Sequence, residues 1–163
     1  MGLLDLVRLV RPTTTKLAEL AAYDQEAFGE TGLRSYDLGV VARAGGLYVG
    51  LVDGRLVASC QLLRMMDEPE RFWVLGFYVR PDYQGQGFGR EFLRAVSEEI
   101  RTHGGTGLML TADPECAAAL NLYFSFGFKV VEEVADFYGP GEDRVVLRWD
   151  AGNTGTERDG SLD

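Results

Sequence analysis

The segment Val79–Leu93, VRPDYQGQGFGREFL, decides the fold of this chain. The segment begins at Val79, the last residue of the almost wholly apolar run Arg71–Val79. Such a run is typical of a strand buried on both faces. From Phe88 onward, apolar residues recur at helical spacing, namely Phe88, Phe92, Leu93, Val96 and Ile100. Gly85, Gly87 and Gly89 therefore lie between a predicted strand and a predicted helix.

A glycine-rich turn in this position favours an anion-binding site. The unpaired N–H groups of the first helical turn point outward, and the helix dipole adds partial positive charge. Because glycine lets the backbone approach a phosphate closely, Gln84–Gly89 predicts a pyrophosphate site. The alternative is that the glycines only allow close packing of the strand and the helix. A phosphate-binding P-loop is a poor fit, since Arg90 and Glu91 stand where it requires Lys followed by Ser or Thr.

The rest of the chain predicts alternating strands and helices without internal repeats. Asp53 and Gly54 predict a type I′ hairpin between two strands. The expected order is β α α β β β α β α β β. The remaining elements are predicted as strand Leu6–Pro12, a helix capped at Thr13–Thr15 and reaching Phe28, helix Tyr36–Ala44, strand Gly107–Ala112, helix Pro114–Phe126 with Gly127 as its cap, and strands Phe128–Val134 and Arg144–Trp149.

Length and charge limit the classes of function. A chain of 163 residues with 46% hydrophobic residues is long enough for one domain with its own core, here 1–150, followed by a polar tail at 151–163. Its net charge of -9 argues against a nucleic-acid partner. The same acidity would attract a cationic substrate, or would only keep the protein soluble.

Two further expectations come from composition. No run reaches the roughly 18 apolar residues of a membrane span, and the N-terminus lacks a secretion signal, so we expect a cytoplasmic protein without a membrane partner. Cys60 and Cys116 have no metal-ligand spacing, so we expect no metal and two buried or semi-buried thiols.

Two motifs carry a resemblance to a known family. Gln84–Gly89 is similar to the signature of the GNAT superfamily of N-acetyltransferases, which is Gln or Arg, two residues, Gly, one residue, then Gly or Ala. Asp113–Phe128 resembles a second family motif through Leu122-Tyr123 and Gly127-Phe128. The resemblance covers Leu6 to Trp149. It implies an α/β (α+β) fold, with a mixed, mostly antiparallel sheet of about seven strands, splayed between strands 4 and 5 and flanked by four helices.

The resemblance also implies acetyl-coenzyme A (acetyl-CoA) as cosubstrate, bound where strands 4 and 5 part. Strand 4 would pair with the pantetheine amides, and the glycine turn would take the pyrophosphate. Arg80, Arg90 and Arg94 are placed along the chain to attract this polyanion. The implied cofactor-binding residues are Phe77, Tyr78, Val79, Gln84, Gly85, Gln86, Gly87, Phe88, Gly89, Arg90 and Cys116.

Acetyl transfer to an amine requires two proton movements. The amine, with a pKa of about 10.4, loses a proton before attack, and the departing thiolate benefits from a proton donor. The resemblance implies Tyr123 as this catalytic donor; alternatively it is a packed aromatic residue. In the ribosomal-protein alanine acetyltransferases a Glu on strand 5 and an Asn at the next helix are expected, but this chain has Thr111 and Cys116. The general base therefore stays unassigned, and N-terminal alanine is disfavoured as the acceptor.

Two acidic segments are expected on the acceptor side. The first contains Glu26 and Glu30, and the second, in the last hairpin, contains Asp136, Glu142 and Asp143. These carboxylates would bind a cationic amine, or they are ordinary solvated groups. Tyr138 and the adjacent Phe137 would wall a substrate cleft or pack the hairpin down. The implied substrate-binding set is Glu26, Glu30, Asp136 and Tyr138.

The sequence thus predicts an acetyl-CoA-dependent N-acetyltransferase. Its acceptor is the primary amine of a small cationic molecule, slightly favoured, or of a peptide or protein. The alternative is a non-catalytic sensor that binds acyl-CoA with the same fold, and a third reading is a nucleotide-dependent enzyme. A homodimer is compatible with the sequence.

Overall fold

A computed structural model describes residues 2–152, and its element order is the predicted one. Two short 3₁₀ turns, Gly29–Thr31 and Pro81–Tyr83, separate some of the elements. The strands and helices are β1 (Leu4–Arg8), α1 (Thr14–Phe28), α2 (Ser35–Ala44), β2 (Gly46–Val52), β3 (Arg55–Arg64), β4 (Arg71–Val79), α3 (Phe88–Thr102), β5 (Gly107–Ala112), α4 (Ala117–Phe126), β6 (Lys129–Val134) and β7 (Arg144–Asp150).

The strands form one mixed sheet in the order β1-β2-β3-β4-β5-β7-β6. The β4–β5 pair is parallel and the other five pairs are antiparallel. Asp53 and Gly54, with φ of +51° and +75°, make the tight β2–β3 turn that the sequence predicts. The predicted fold class, a mostly antiparallel seven-stranded sheet with four helices, is confirmed.

The sheet opens between β4 and β5. Only Arg71–Trp73 pairs with β5, opposite Gly107–Met109, and beyond this point the two strands diverge. The prediction that β4 is buried on both faces is therefore wrong for its second half, where Leu75 is 39% exposed. A strand that loses one neighbour halfway along its length leaves that edge accessible, and this edge forms the site described below.

Helices cover both faces of the sheet. Side chains alternate along β2, so Tyr48 joins the core beneath α3, whereas Leu47 and Val49 face α1 and α2. Phe92 and Val96 of α3 are fully buried in the larger of the two clusters. The glycine turn before α3 and the end of α1 both line the opening described below.

Several predicted boundaries differ from the structure. Strand β1 spans Leu4–Arg8 instead of Leu6–Pro12, because its pairing with β2 ends at Arg8 and proline has no N–H to continue a ladder. Helix α4 begins at Ala117 rather than Pro114, because the Asp113 carboxylate and carbonyl accept hydrogen bonds from the N–H groups of Glu115 and Cys116 and form a separate turn.

The predicted tail lies mostly outside the described residues, which end at 152. The extent of the domain, 1–150, stays a prediction. Among residues 2–152, no helix has the length and apolarity that crossing a bilayer requires.

Candidate active site

A cavity of about 540 Å³ lies at the opening between β4 and β5. Phe77, Tyr78 and Val79 line it from β4, at the positions for which the sequence predicts contact with pantetheine. The end of α1, the glycine turn and α4 supply its other walls. The structure therefore brings both family motifs to one cavity.

The glycine turn lines this cavity at the start of α3. Gly87 is the N-cap residue of α3 with φ of +86°, and Gly85 has φ of +74°. A Cβ at either position would meet nothing within 4 Å, so these glycines provide backbone conformation and access instead of close packing. Gln84 and Gly89 also line the cavity. An anionic group in the cavity would face the outward N–H groups of the first α3 turn.

The side chains of the other motif residues stabilise the turn through hydrogen bonds and packing. The Gln84 side chain donates a hydrogen bond to the Val79 carbonyl (2.8 Å), and the Gln86 side chain donates to the Asp82 carbonyl (3.1 Å). Phe88 is buried against Tyr83. Gln86 and Phe88, both predicted as cofactor contacts, do not line the cavity.

Gly89 has a packing role that the sequence did not reveal. A Cβ at Gly89 would lie 3.3 Å from the Leu122 side chain of α4. The missing side chain lets the first turn of α3 approach α4, and this approach fixes the distance between the two family motifs.

The three predicted cations differ in position. The Arg80 guanidinium stacks 4.1 Å from the ring centroid of Tyr23, and it donates a hydrogen bond to the Leu56 carbonyl. Arg90 lines the cavity and reaches the Ser125 carbonyl at 3.0 Å. Arg94 is exposed one turn further along α3 and does not line the cavity. Arg80 and Arg90 therefore supply positive charge at the cavity.

Tyr123 reaches the cavity from α4 and is only 7% exposed. Its ring lies edge-on to Phe77 and Phe128, which fix its orientation. Burial raises the pKa of Tyr123 above its ordinary value, so the hydroxyl keeps its proton at neutral pH. The hydroxyl makes none of the hydrogen bonds found among residues 2–152, and a proton donor in this position is available to a ligand.

An aromatic wall lies where β4 and β5 begin to part, at Trp73, and its residues, including the predicted substrate residue Tyr138, do not line the cavity itself. Phe137 stacks on Trp73 of β4 at 6.5 Å and contacts Tyr138 edge-on at 4.6 Å. The hydroxyl groups of Tyr138 and Thr111 lie 2.8 Å apart. Thr111, the residue at the position where the family resemblance places a glutamate, thus holds the loop between β6 and β7 against β5.

The predicted acidic residues are not gathered in one pocket. Glu26 lines the cavity, whereas Glu30 lies in the exposed turn after α1. The Asp136 carboxylate accepts a hydrogen bond from the Gly141 N–H (2.8 Å) within its own loop, and Glu142 pairs with Arg144. Of these carboxylates, Glu26 therefore has the direct route to an amine in the cavity.

Sequence reasoning missed a buried polar cluster beside the cavity. The Asp24 carboxylate accepts a hydrogen bond from the Leu33 N–H, while its other oxygen is buried without a hydrogen-bond partner among residues 2–152. The Tyr78 hydroxyl is buried next to this carboxylate, with the Ser59 side chain as its polar neighbour. Burial raises the pKa of Asp24 to about 6. Burial also raises the pKa of Tyr78, and the Asp24 carboxylate adds to that increase. The available signal was a carboxyl group on the apolar face of α1, beside Leu20 and Ala21.

The cysteines differ from each other and partly from expectation. Cys60 is fully buried in β3, and burial raises the pKa of its thiol. Cys116 is exposed, which corrects the expectation that both thiols are buried or semi-buried. It lines the cavity at the N-cap position of α4.

Comparison of the sequence with known proteins gives a match that includes both the glycine turn and the α4 motif. Residues 5–128 match the sequence model of the Acetyltransferase (GNAT) family. The chain belongs to this family. Among the relatives of this GNAT chain, the ribosomal protein bS18-alanine N-acetyltransferase of Salmonella typhimurium is 29% identical over 123 residues, covering 74% of each chain.

Solved structures share the GNAT fold. The yncA protein of Salmonella typhimurium, solved with its cofactor acetyl-CoA, has a TM-score of 0.73 at 16% identity and covers 90% of this chain and 93% of that chain. Diaminobutyrate acetyltransferase EctA of Paenibacillus lautus, in complex with L-2,4-diaminobutyric acid and coenzyme A, has a TM-score of 0.77 at 14% identity, with coverage of 92% and 96%. The predicted family, fold and acetyl-CoA-dependent N-acetyltransferase activity are confirmed.

The residues present fit acetyl-CoA, the cosubstrate of the family. The positive-φ glycines leave the turn open, and the β4 edge beyond Trp73 lacks its β5 partner. Arg90 adds positive charge on the same side. When bound, acetyl-CoA supplies an activated thioester to the cavity.

Proposed function

We propose that this protein acetylates a primary amine held between the end of α1 and the aromatic wall, with Tyr123 as the proton donor. The observation that carries this proposal is the buried Tyr123 hydroxyl in the same cavity as the glycine turn. A sensor that only binds acyl-CoA would need the turn but not this hydroxyl.

Each part of the site has a separate task in this mechanism. The N–H groups that follow Gly87 bind the diphosphate, and the unpaired edge of β4 at Phe77–Val79 orients the pantetheine arm. The aromatic rings of the wall exclude water from the amine. The Tyr123 hydroxyl holds its proton until negative charge develops on the sulfur, and then it donates a hydrogen bond or the proton itself.

The acceptor that suits this surface is a primary amine attached to an apolar group, such as an amino acid or the N-terminus of a peptide. Trp73, Phe137 and Tyr138 offer aromatic surface. The Asp136 carboxylate is engaged within its own loop, which removes one of the groups expected to bind a polycation. We therefore propose an acceptor with an apolar group instead of the small cationic acceptor that the sequence slightly favours.

The test is a survey of acceptors that follows thiol release from acetyl-CoA. We expect release with peptides or amino acids that carry an apolar side chain, and weaker release with spermidine. Cofactor binding is measured in parallel by calorimetry. Binding without release for every amine would favour the sensor, and failure to bind acetyl-CoA would contradict the whole proposal.

Localisation and assembly are part of the proposal. We propose a cytoplasmic enzyme that does not bind nucleic acid, consistent with its net charge of -9. A homodimer remains a prediction that light scattering of the full chain tests.

A further inference from the structure

Cys116 is the exposed one of the two cysteines, and it faces the cavity proposed for acetyl-CoA. Cys60 is 0% exposed and out of reach of solutes. Cys116 is the N-cap residue of α4, and the small side chain of Ala119 follows one turn later on the same cavity wall. The thiol is therefore accessible from the cavity.

Tyr123 marks where a ligand sulfur would lie relative to this thiol. Cys116 and Tyr123 are seven positions apart, so they share one face of α4, two turns apart. Side chains of a helix tilt toward its N-terminus, which brings the tyrosine hydroxyl toward Cys116. The tyrosine hydroxyl, without a hydrogen bond among residues 2–152, independently points to a ligand at this end of the cavity.

From this arrangement we infer that Cys116 is a site of reversible modification by coenzyme A, through a mixed disulfide. The co-reactant is a coenzyme A disulfide. The inference rests on the proposed position of the cosubstrate: a diphosphate held at Gly85–Gly87 would direct its pantetheine arm along β4 toward Cys116.

The chemical step is thiol–disulfide exchange. Cys116 loses its proton to solvent, and its sulfur attacks the nearer sulfur of the bound disulfide. The S–S bond of the reagent breaks while a new S–S bond forms to Cys116. The second coenzyme A leaves as a thiolate and takes a proton from water. One protein thiol is oxidised and one reagent sulfur is reduced, so no other oxidant is needed.

Charges near Cys116 oppose undirected reaction with anionic reagents. Asp113 and Glu115 lie on the turn that leads to this thiol, and the chain carries a net charge of -9. An anionic disulfide that the glycine turn does not hold would therefore be repelled. The modified protein would have its cosubstrate site blocked and would regain activity in a reducing buffer.

The experiment compares three disulfides on the full chain by intact mass: coenzyme A disulfide, pantethine, which has the arm without the nucleotide, and neutral hydroxyethyl disulfide. We expect a single adduct at Cys116 by peptide mapping and a rate at least tenfold higher with coenzyme A disulfide than with pantethine. Acetyl-CoA should protect the thiol from coenzyme A disulfide, and dithiothreitol should remove the adduct. The Cys116→Ser variant should form no adduct.

Three outcomes would overturn the inference. Equal rates for coenzyme A disulfide and pantethine, or no protection by acetyl-CoA, would make Cys116 an ordinary surface thiol. No adduct with coenzyme A disulfide, while hydroxyethyl disulfide reacts, would show that the bound arm does not reach the thiol. Calorimetry with acetyl-CoA separates the two proposals, because an unmodified protein that still binds acetyl-CoA contradicts only the inference about Cys116.

Discussion

The hydroxyl groups of Thr111 and Tyr138 lie 2.8 Å apart and join β5 to the loop between β6 and β7. This hydrogen bond lies at the position where the family resemblance places a glutamate, and it fixes one end of the aromatic wall. Tyr138 is 54% exposed, so its ring is available to a ligand while its hydroxyl is held. The position of the Tyr138 ring in the aromatic wall therefore depends on the hydroxyl group of Thr111.

Removal of this hydrogen bond should affect the acceptor and not the cosubstrate. We expect Thr111→Val and Tyr138→Phe each to raise the acceptor KM about twofold to tenfold, as the loss of about 0.5–1.5 kcal/mol implies. The affinity for acetyl-CoA should stay unchanged. The double variant should be no worse than either single one, and additive effects would show that the two hydroxyls act independently.

Loss of the Tyr123 hydroxyl should lower turnover. We expect Tyr123→Phe to reduce kcat about 100-fold, within the range for removal of a general acid, while the ring keeps its contact with Phe77. The affinity for acetyl-CoA should change little. Tyr83→Phe is the matched control, because Tyr83 packs on Phe88 outside this cavity. Unchanged turnover of Tyr123→Phe between pH 6 and 9 would remove this residue from the mechanism.

The glycine turn allows a test in which backbone strain is matched. Gly87 is the N-cap residue of α3 and Gly104 follows its C-cap residue, His103; their φ angles are +86° and +76°, and a Cβ at either meets nothing within 4 Å. Alanine at each position should cost about 1–2 kcal/mol of stability. Gly87→Ala alone should weaken acetyl-CoA binding, by about tenfold, which corresponds to one perturbed contact of about 1.4 kcal/mol. Equal affinities of the two variants would show that the turn does not bind the cosubstrate.

Two arginines one turn apart on α3 allow a direct contact with acetyl-CoA to be distinguished from long-range electrostatic attraction. Arg90 lines the cavity, whereas Arg94 is exposed beyond it. We expect Arg90→Gln to weaken acetyl-CoA binding about tenfold at low salt and to reduce its salt dependence, because a charge-assisted contact is lost. Arg94→Gln should have a much smaller effect. Titrations at two salt concentrations measure both, and identical losses would indicate only long-range attraction.

Burial of Asp24 makes the stability of the protein depend on pH. Because the folded-state pKa of about 6 exceeds the ordinary value, folding favours the protonated form. This stabilisation is complete below about pH 4, the ordinary pKa, and is lost as the pH rises through 6. Asp24→Asn still accepts a hydrogen bond from Leu33 but does not titrate. We therefore expect this variant to gain up to about 3 kcal/mol relative to the wild type between pH 4 and 7.

Urea unfolding at several pH values measures this difference directly. The comparison between the two proteins cancels the contributions of the other carboxylates. The single histidine of the chain, His103, pairs with Glu99 at the far end of α3, so it does not complicate the titration of Asp24. A difference in the free energy of unfolding that stays constant from pH 4 to 7 would contradict the prediction.

Local signals made the main elements predictable. Apolar periodicity, the Asp53-Gly54 turn and the glycines at 85 and 87 depend on residues close together in the chain, so the element order and the anion-binding turn could be read from the sequence. Gly127 at the end of α4, with φ of +116°, is another such signal. The family resemblance rests on the same local patterns.

The sequence by itself determined the order of the elements, the glycine turn, and the candidacy of Tyr123. Only the tertiary structure decided that β5 leaves β4 after Trp73, that Thr111 meets Tyr138, and which carboxylates reach the cavity. The physical reason is distance along the chain. Turn geometry and helix capping are settled within a few residues, whereas the divergence of two strands and the use of a side chain depend on partners tens of residues away.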